Sequence, residues 1–182
     1  MRRQIATLAV LCLPLAACDK PADNAPKSEA AKEAAGDSTI AQGLGDDSKQ
    51  FAAAAKAAGL DTTLAGPGPY TVLVPTDDAF GKLPDGALDT LMKPESRPQL
   101  TKILTYHILS GAVLAEDIGK AIENGGGKTQ LMTVGGGTLT ATKDGDKIVI
   151  TDGKGGKATV TAADGKHSNG DIHKVDGVLM PA

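Results

Sequence analysis

"YTVLVPTDDAFGKLP", residues 70–84, is the stretch on which the fold turns. Tyr70 to Val74 is a short apolar run rich in β-branched residues, as expected of a buried strand. Pro75 ends it, because proline cannot donate to a ladder. Thr76 then stands between the strand and a helix-compatible segment, where its hydroxyl can accept from an orphan backbone amide. Asp77 and Asp78 fall in the first turn, where carboxylates favour the positive end of the helix dipole by ~0.3–1 kcal/mol each. As an acid–base pair they are badly placed, since adjacent helical side chains do not share a site. Phe80 packs back on the strand and Pro84 ends the helix. The polar group is therefore a joint between two elements.

Outward from that joint, the upstream side is helical. Phe51, Ala54, Ala55 and Ala58 share one face, with Ser48 as N-cap and Gly59-Leu60 as a glycine stop followed by its apolar contact. The Gly66-Pro67-Gly68-Pro69 turn leads into the strand. Downstream, a helix is expected from Ser96, with Pro98 in its first turn and Leu100, Ile103 and Leu104 inward. A shorter one is expected over Ala115 to Ile122. Thereafter Leu131–Val134, Thr138–Thr142, Lys147–Thr151 and Lys157–Thr161 read as strands separated by glycine-rich turns, and Ile172–Met180 as a last strand. Helices first and hairpins afterwards give an α+β class.

The N-terminus speaks of destination. Arg2 and Arg3 precede a short apolar stretch, Ile5 to Leu15, and Leu15-Ala16-Ala17-Cys18 offers the small residues of a processing site. The stretch is shorter than the ~20 apolar residues a spanning helix needs. Residues 1–17 are thus expected to be a signal peptide, and the Leu-Ala-Ala-Cys ending resembles the lipobox of bacterial lipoproteins, in which the cysteine is acylated. An ordinary secretory signal with a chance cysteine is the alternative. Acylation of Cys18 would moor the protein to a membrane, each buried methylene adding ~0.8 kcal/mol. Residues 18–37 hold Ala, Pro and charged residues without an aromatic, the composition of a flexible tether with a reach of roughly 25 Å. Residues 38–182 have the length of one domain. The expected setting is the cell envelope, at the periplasmic face or cell surface.

Composition excludes several functions. The chain holds Cys12 and Cys18 alone, so removal of the signal and acylation leave no thiol, disulfide or thiolate metal site. With 19 basic against 22 acidic residues and no basic stripe, nucleic acid is not an expected partner. No Gly-x-Ser-x-Gly elbow occurs, and Gly125 to Lys128 lacks the spacing of a phosphate loop. Lys143 to Lys147 is explained by an Asp-Gly turn more simply than by a calcium loop. His167 and His173 flank Asp171 near Asp164 and Asp176, but without the intervals of a metal pair. No metal and no cofactor is expected.

"GPGPYTVLVPTDDAFGKLP" (66–84), "LTKILTYHILSG" (100–111) and "SNGDIHKVDGVLMP" (168–181), with the helix "FAAAAKAAGLDTTL" (51–64), resemble in order the two conserved blocks and Tyr-His motif of the fasciclin (FAS1) domain. The resemblance spans about Thr39 to Pro181. It implies an antiparallel β-sandwich or wedge with packed helices, and a role in adhesion or recognition of a protein or polysaccharide ligand. Tyr106 and His107 match the Tyr-His motif. Asp117 and Ile118 resemble a second element associated with ligand binding, and His173 falls at a packing position of the last block. Tyr106 and His107 are therefore either ligand-binding or interior. A carrier or hydrolase-like enzyme using His107 or His173 with a nearby carboxylate is the competing expectation, and a purely structural envelope protein a third. Residues 122–136 are looser than the family pattern, which leaves strand register there open.

Overall fold

The computed structural model describes residues 38–84 and 86–182. The expected signal segment, Cys18 and the tether lie outside the described residues. Three helices come first, α1 Ile40–Gly43, α2 Lys49–Ala58 and α3 Asp61–Ala65. β1 Tyr70–Pro75 follows, then α4 Asp77–Gly81, α5 Ala87–Leu91, a 3-10 turn Pro94–Ser96 and α6 Arg97–Tyr106. After β2 Ile108–Ser110 and α7 Ala115–Asn124 come β3 Lys128–Met132, β4 Thr138–Asp144, β5 Lys147–Thr151, β6 Lys157–His167 and β7 Gly170–Val175.

The strands form one seven-stranded sheet in the order β2-β1-β7-β6-β5-β4-β3. Its outer strands meet through a single bridge, Leu109 to Thr133, reinforced by Val134 N–H to the Ile108 carbonyl at 2.8 Å. The sheet therefore curls almost into a barrel, which leaves little bare edge. The α+β class holds, with one departure from purely antiparallel pairing. β1 and β7 run parallel from Tyr70↔Gly170 to Pro75↔Val175. Turn residues report only on neighbours in sequence, and this pair is joined through most of the domain. Register in the glycine-rich region runs from Lys128↔Thr142 to Met132↔Thr138.

β1 is buried on both faces because it separates two cores. Val72 and Val74 face α2 and α6, alongside Phe51, Leu100 and Leu104. Leu73 faces the inside of the curled sheet with Leu139, Ile150 and Val175. Each such side chain contributes ~1.5–3 kcal/mol by leaving water. α2 ends at Gly59, whose φ of 77° lies in the left-handed region that other residues occupy at a cost. Leu60 N–H then bonds the Ala55 carbonyl at 2.8 Å.

The last strand is shorter than expected. β7 ends at Val175; Asp176 N–H still bonds the Thr159 carbonyl at 3.1 Å, but residues 177–182 form no strand. Leu179 is nonetheless fully buried. Side chains rather than a ladder hold this segment.

Candidate functional site

Pro75 delivers the chain to α4 with Thr76 as N-cap, its Oγ1 accepting from Ala79 N–H at 3.3 Å. Asp77 reaches further than its own helix. Its Oδ1 accepts from Gln50 N–H at 2.9 Å, so it caps the first turn of α2, whose own N-cap Ser48 makes no capping bond. Asp78 is exposed, while Phe80 is buried against the helical core. Close by, Lys174 Nζ donates to both oxygens of Asp47, at 2.8 and 2.6 Å. That bond holds the Asp47 carboxyl below its ordinary range.

Tyr106 and His107 end α6 and are interior, at 3% and 0% exposure. The helix delivers them at the seam between the two cores, so a solvent-facing recognition pair does not form. Tyr106 lies inside the curled sheet over Gly137, where a Cβ would strike its ring. Its hydroxyl donates to the Thr138 carbonyl and accepts from Gly153 N–H, both at 3.1 Å. His107 turns the other way, edge-on to Phe51 with ring centroids 6.3 Å apart.

Both ring nitrogens of His107 are committed. Nε2 accepts from Leu179 N–H at 3.0 Å, because a backbone amide can only donate. Nδ1 therefore carries the proton and gives it to the Ile103 carbonyl at 2.9 Å. Burial pushes the imidazole down to about 4, so it is neutral at ordinary pH. His173 on β7 is equally enclosed with the opposite tautomer. Its Nδ1 accepts from Asp164 N–H at 3.1 Å, and Nε2–H donates to the Val113 carbonyl at 2.7 Å.

Asp117 and Ile118 divide between outside and inside. Ile118 is 1% exposed in the sheet core, whereas Asp117 faces solvent on the first turn of α7. That turn is capped by Asp164, whose Oδ1 accepts from Ala115 N–H at 2.8 Å. Asp171 is buried two residues before His173 on β7, and burial raises its carboxyl. Among the described residues no three His, Cys, Asp or Glu side chains come together as a metal cluster.

Two residues absent from the sequence expectations do much of the fastening. Asp152 Oδ1 accepts from Lys154 N–H at 2.9 Å and Gly156 N–H at 2.7 Å, while Oδ2 accepts from Met180 N–H at 2.8 Å. Asn169 Oδ1 accepts from Ile40 N–H at 2.8 Å, and Nδ2 donates to the Leu64 and Gly66 carbonyls. An Asp or Asn leading a glycine turn is the local signal for such side-chain bonds. Its long-range half leaves no trace in sequence.

A groove of about 610 Å³ opens between β5 and β6. Asp144, Asp146 and Asp176 line it together with Val149, Val160 and Ala115, the first residue of α7. Asp117 lies two residues along that helix. Tyr106, His107 and His173 do not line the groove.

The fasciclin domain family model matches residues 46–181. Protein sll1483 of Synechocystis is 41% identical over 130 residues, covering 71% of this chain and 64% of its own length. The chain thus spans a little under two thirds of that relative. Porcine transforming growth factor-beta-induced protein ig-h3 is 35% identical over 75% of this chain and 18% of its own. Among solved structures, the FAS1 domain pair of the insect cell adhesion molecule fasciclin I superposes with a TM-score of 0.55 at 26% identity, covering 72% of this chain and 44% of that one.

Proposed function

Because the chain belongs to the fasciclin domain family, we propose that it is a cell-envelope recognition module that mediates adhesion by gripping a protein or polysaccharide ligand. In this reading residues 1–17 direct export, an acylated Cys18 anchors the protein in a membrane, and residues 18–37 hold the domain off the lipid headgroups. The match of the family model to residues 46–181 carries the reading. The side-chain chemistry supports it. Each imidazole with a nearby carboxylate, His107 or His173, spends both nitrogens on backbone groups, which leaves neither free to move a proton for a substrate. No observation favours the hydrolase-like or carrier alternative. Adhesive function places recognition on exposed surface, where many copies on one membrane multiply modest affinity.

Two measurements test the proposal. Cells lacking the chain should attach less to their own extracellular matrix, and the full chain should restore attachment. Unchanged attachment would leave the purely structural envelope role as the better account. Radiolabelled palmitate should enter the full chain and fail to enter Cys18→Ser; incorporation that survives the substitution removes the anchor from the proposal.

A further inference from the structure

β5 and β6 pair only from Val149↔Thr159 to Thr151↔Lys157. Yet β5 begins at Lys147 and β6 runs on to His167. Continued register would set Lys147 opposite Thr161. Instead, irregularities in β6 between Val160 and Ala162, and between Ala162 and Gly165, bend it toward β7. The groove opens where the ladder stops. Its sides are two strand edges, and unpaired edges present N–H and C=O groups at the spacing of an extended chain. Val149, Val160 and Ala163 give it apolar lining. Lys147 is the one cation among its lining residues, against Asp144, Asp146 and Asp176. Asp176 is already engaged, accepting from Thr159 N–H at 2.6 Å and facing Lys82 at 3.7 Å. Among the described residues, Asp144 and Asp146 have no ion-pair partner.

We propose that this groove seats an extended, lysine- or arginine-bearing segment of a partner protein, with its main chain on the strand edges and its cations at Asp144 and Asp146. The inference rests on the adhesion reading and names the ligand within it. Strand edges are matched by polypeptide backbone, whose alternate side chains supply specificity. The excess of carboxylates attracts cations and repels anionic polysaccharide. A second copy of this chain fits poorly, because it would bring the same carboxylates face to face and the bent β6 offers no long flat edge.

The test is a titration of the isotope-labelled full chain in detergent with the capped peptide Lys-Val-Lys-Val-Lys-Val, followed by backbone amide shifts. Saturable shifts are expected at Ile148 and Val160, whose main-chain groups face the groove. The double variant Asp144→Asn, Asp146→Asn should bind at least about tenfold more weakly, and added salt should weaken the wild type. The corresponding Glu-Val peptide and a sulfated oligosaccharide should leave these amides unmoved. Absence of saturable shifts, shifts confined to other surfaces, indifference to the double variant, or equal binding of the anionic probes would each overturn the assignment. Both substituted residues are exposed hairpin positions, and an unchanged melting curve verifies the fold. Attachment assays separate the two levels. If the double variant restores attachment fully to cells lacking the chain, the groove assignment fails while adhesion stands. If those cells never lose attachment, adhesion fails and the titration still decides the groove.

Discussion

Leu179 donates its backbone N–H to Nε2 of His107 at 3.0 Å, tying the end of the chain to the end of α6 across 72 positions. The bond requires a neutral ring, and the ring's folded value of about 4 lies below the ordinary 6.5. The unfolded chain therefore takes up the proton first as pH falls. The stability at stake is fully present above about pH 6.5 and is lost as pH drops toward 4, roughly 3 kcal/mol in all. Urea denaturation across this window should show the slope in wild type. In His107→Gln, which has no titrating ring, that component should vanish, with a cost of about 1–3 kcal/mol at neutral pH from imperfect replacement of two buried bonds. An identical slope in both proteins would refute the assignment.

Asp152 is expected to matter more than its place in a turn suggests. Replacing it with alanine orphans three backbone amides, from Lys154, Gly156 and Met180. The loss should be about 2–4 kcal/mol, since bonds to a charged acceptor exceed neutral ones. Hydrogen exchange at Met180 should accelerate well beyond what global destabilisation predicts. Exchange at Met180 that tracks only the global change would argue against a direct clamp.

Tyr106 and Asp117 should separate by phenotype. Tyr106→Phe removes only the hydroxyl, leaving the Thr138 carbonyl and Gly153 N–H without it, and should cost about 1–2 kcal/mol. Asp117→Ala alters a solvent-facing side chain and should change stability by less than about 0.5 kcal/mol. Attachment lost by Asp117→Ala at full stability would locate recognition near α7. Attachment that falls only with melting temperature would place none there.

At Asp171 the sign is opposite to that at His107. Burial raises its carboxyl above the unfolded value, so ionisation in the folded state costs stability as pH rises through that raised value. Asp171→Asn should therefore melt higher than wild type near neutral pH. The difference should shrink as pH falls below the ordinary carboxylate range, where both side chains are uncharged. A variant that melts lower at neutral pH would mean that the ionised group has a favourable role.

Much of the framework is legible in local sequence because local rules govern it. The order Pro75-Thr76-Asp77-Asp78 marks a strand end and a helix start, and the αL glycine at 59 marks a helix stop. β2 has no sequence signal, since three residues following a helix carry no periodicity of their own. The sequence pattern of β6 stops near Thr161, yet the strand continues to His167 through its bends, because polar residues there are tolerated on the outside of a curled sheet. Nor could the expected strand through Met180 be separated by pattern from a buried but unladdered segment, as apolar spacing records burial rather than hydrogen bonding. The groove is the least legible feature. It exists because β6 changes partners, and neither β5 nor β6 announces that alone.

The parallel pairing of β1 with β7 also constrains the order in which the molecule can be finished. A polypeptide threaded N-terminus first through a pore would release its opening helices and β1 long before the strand that must lie beside β1 in mid-sheet. Such distant contacts slow folding relative to local ones. The centre of the sheet thus stays open until Val175 has emerged.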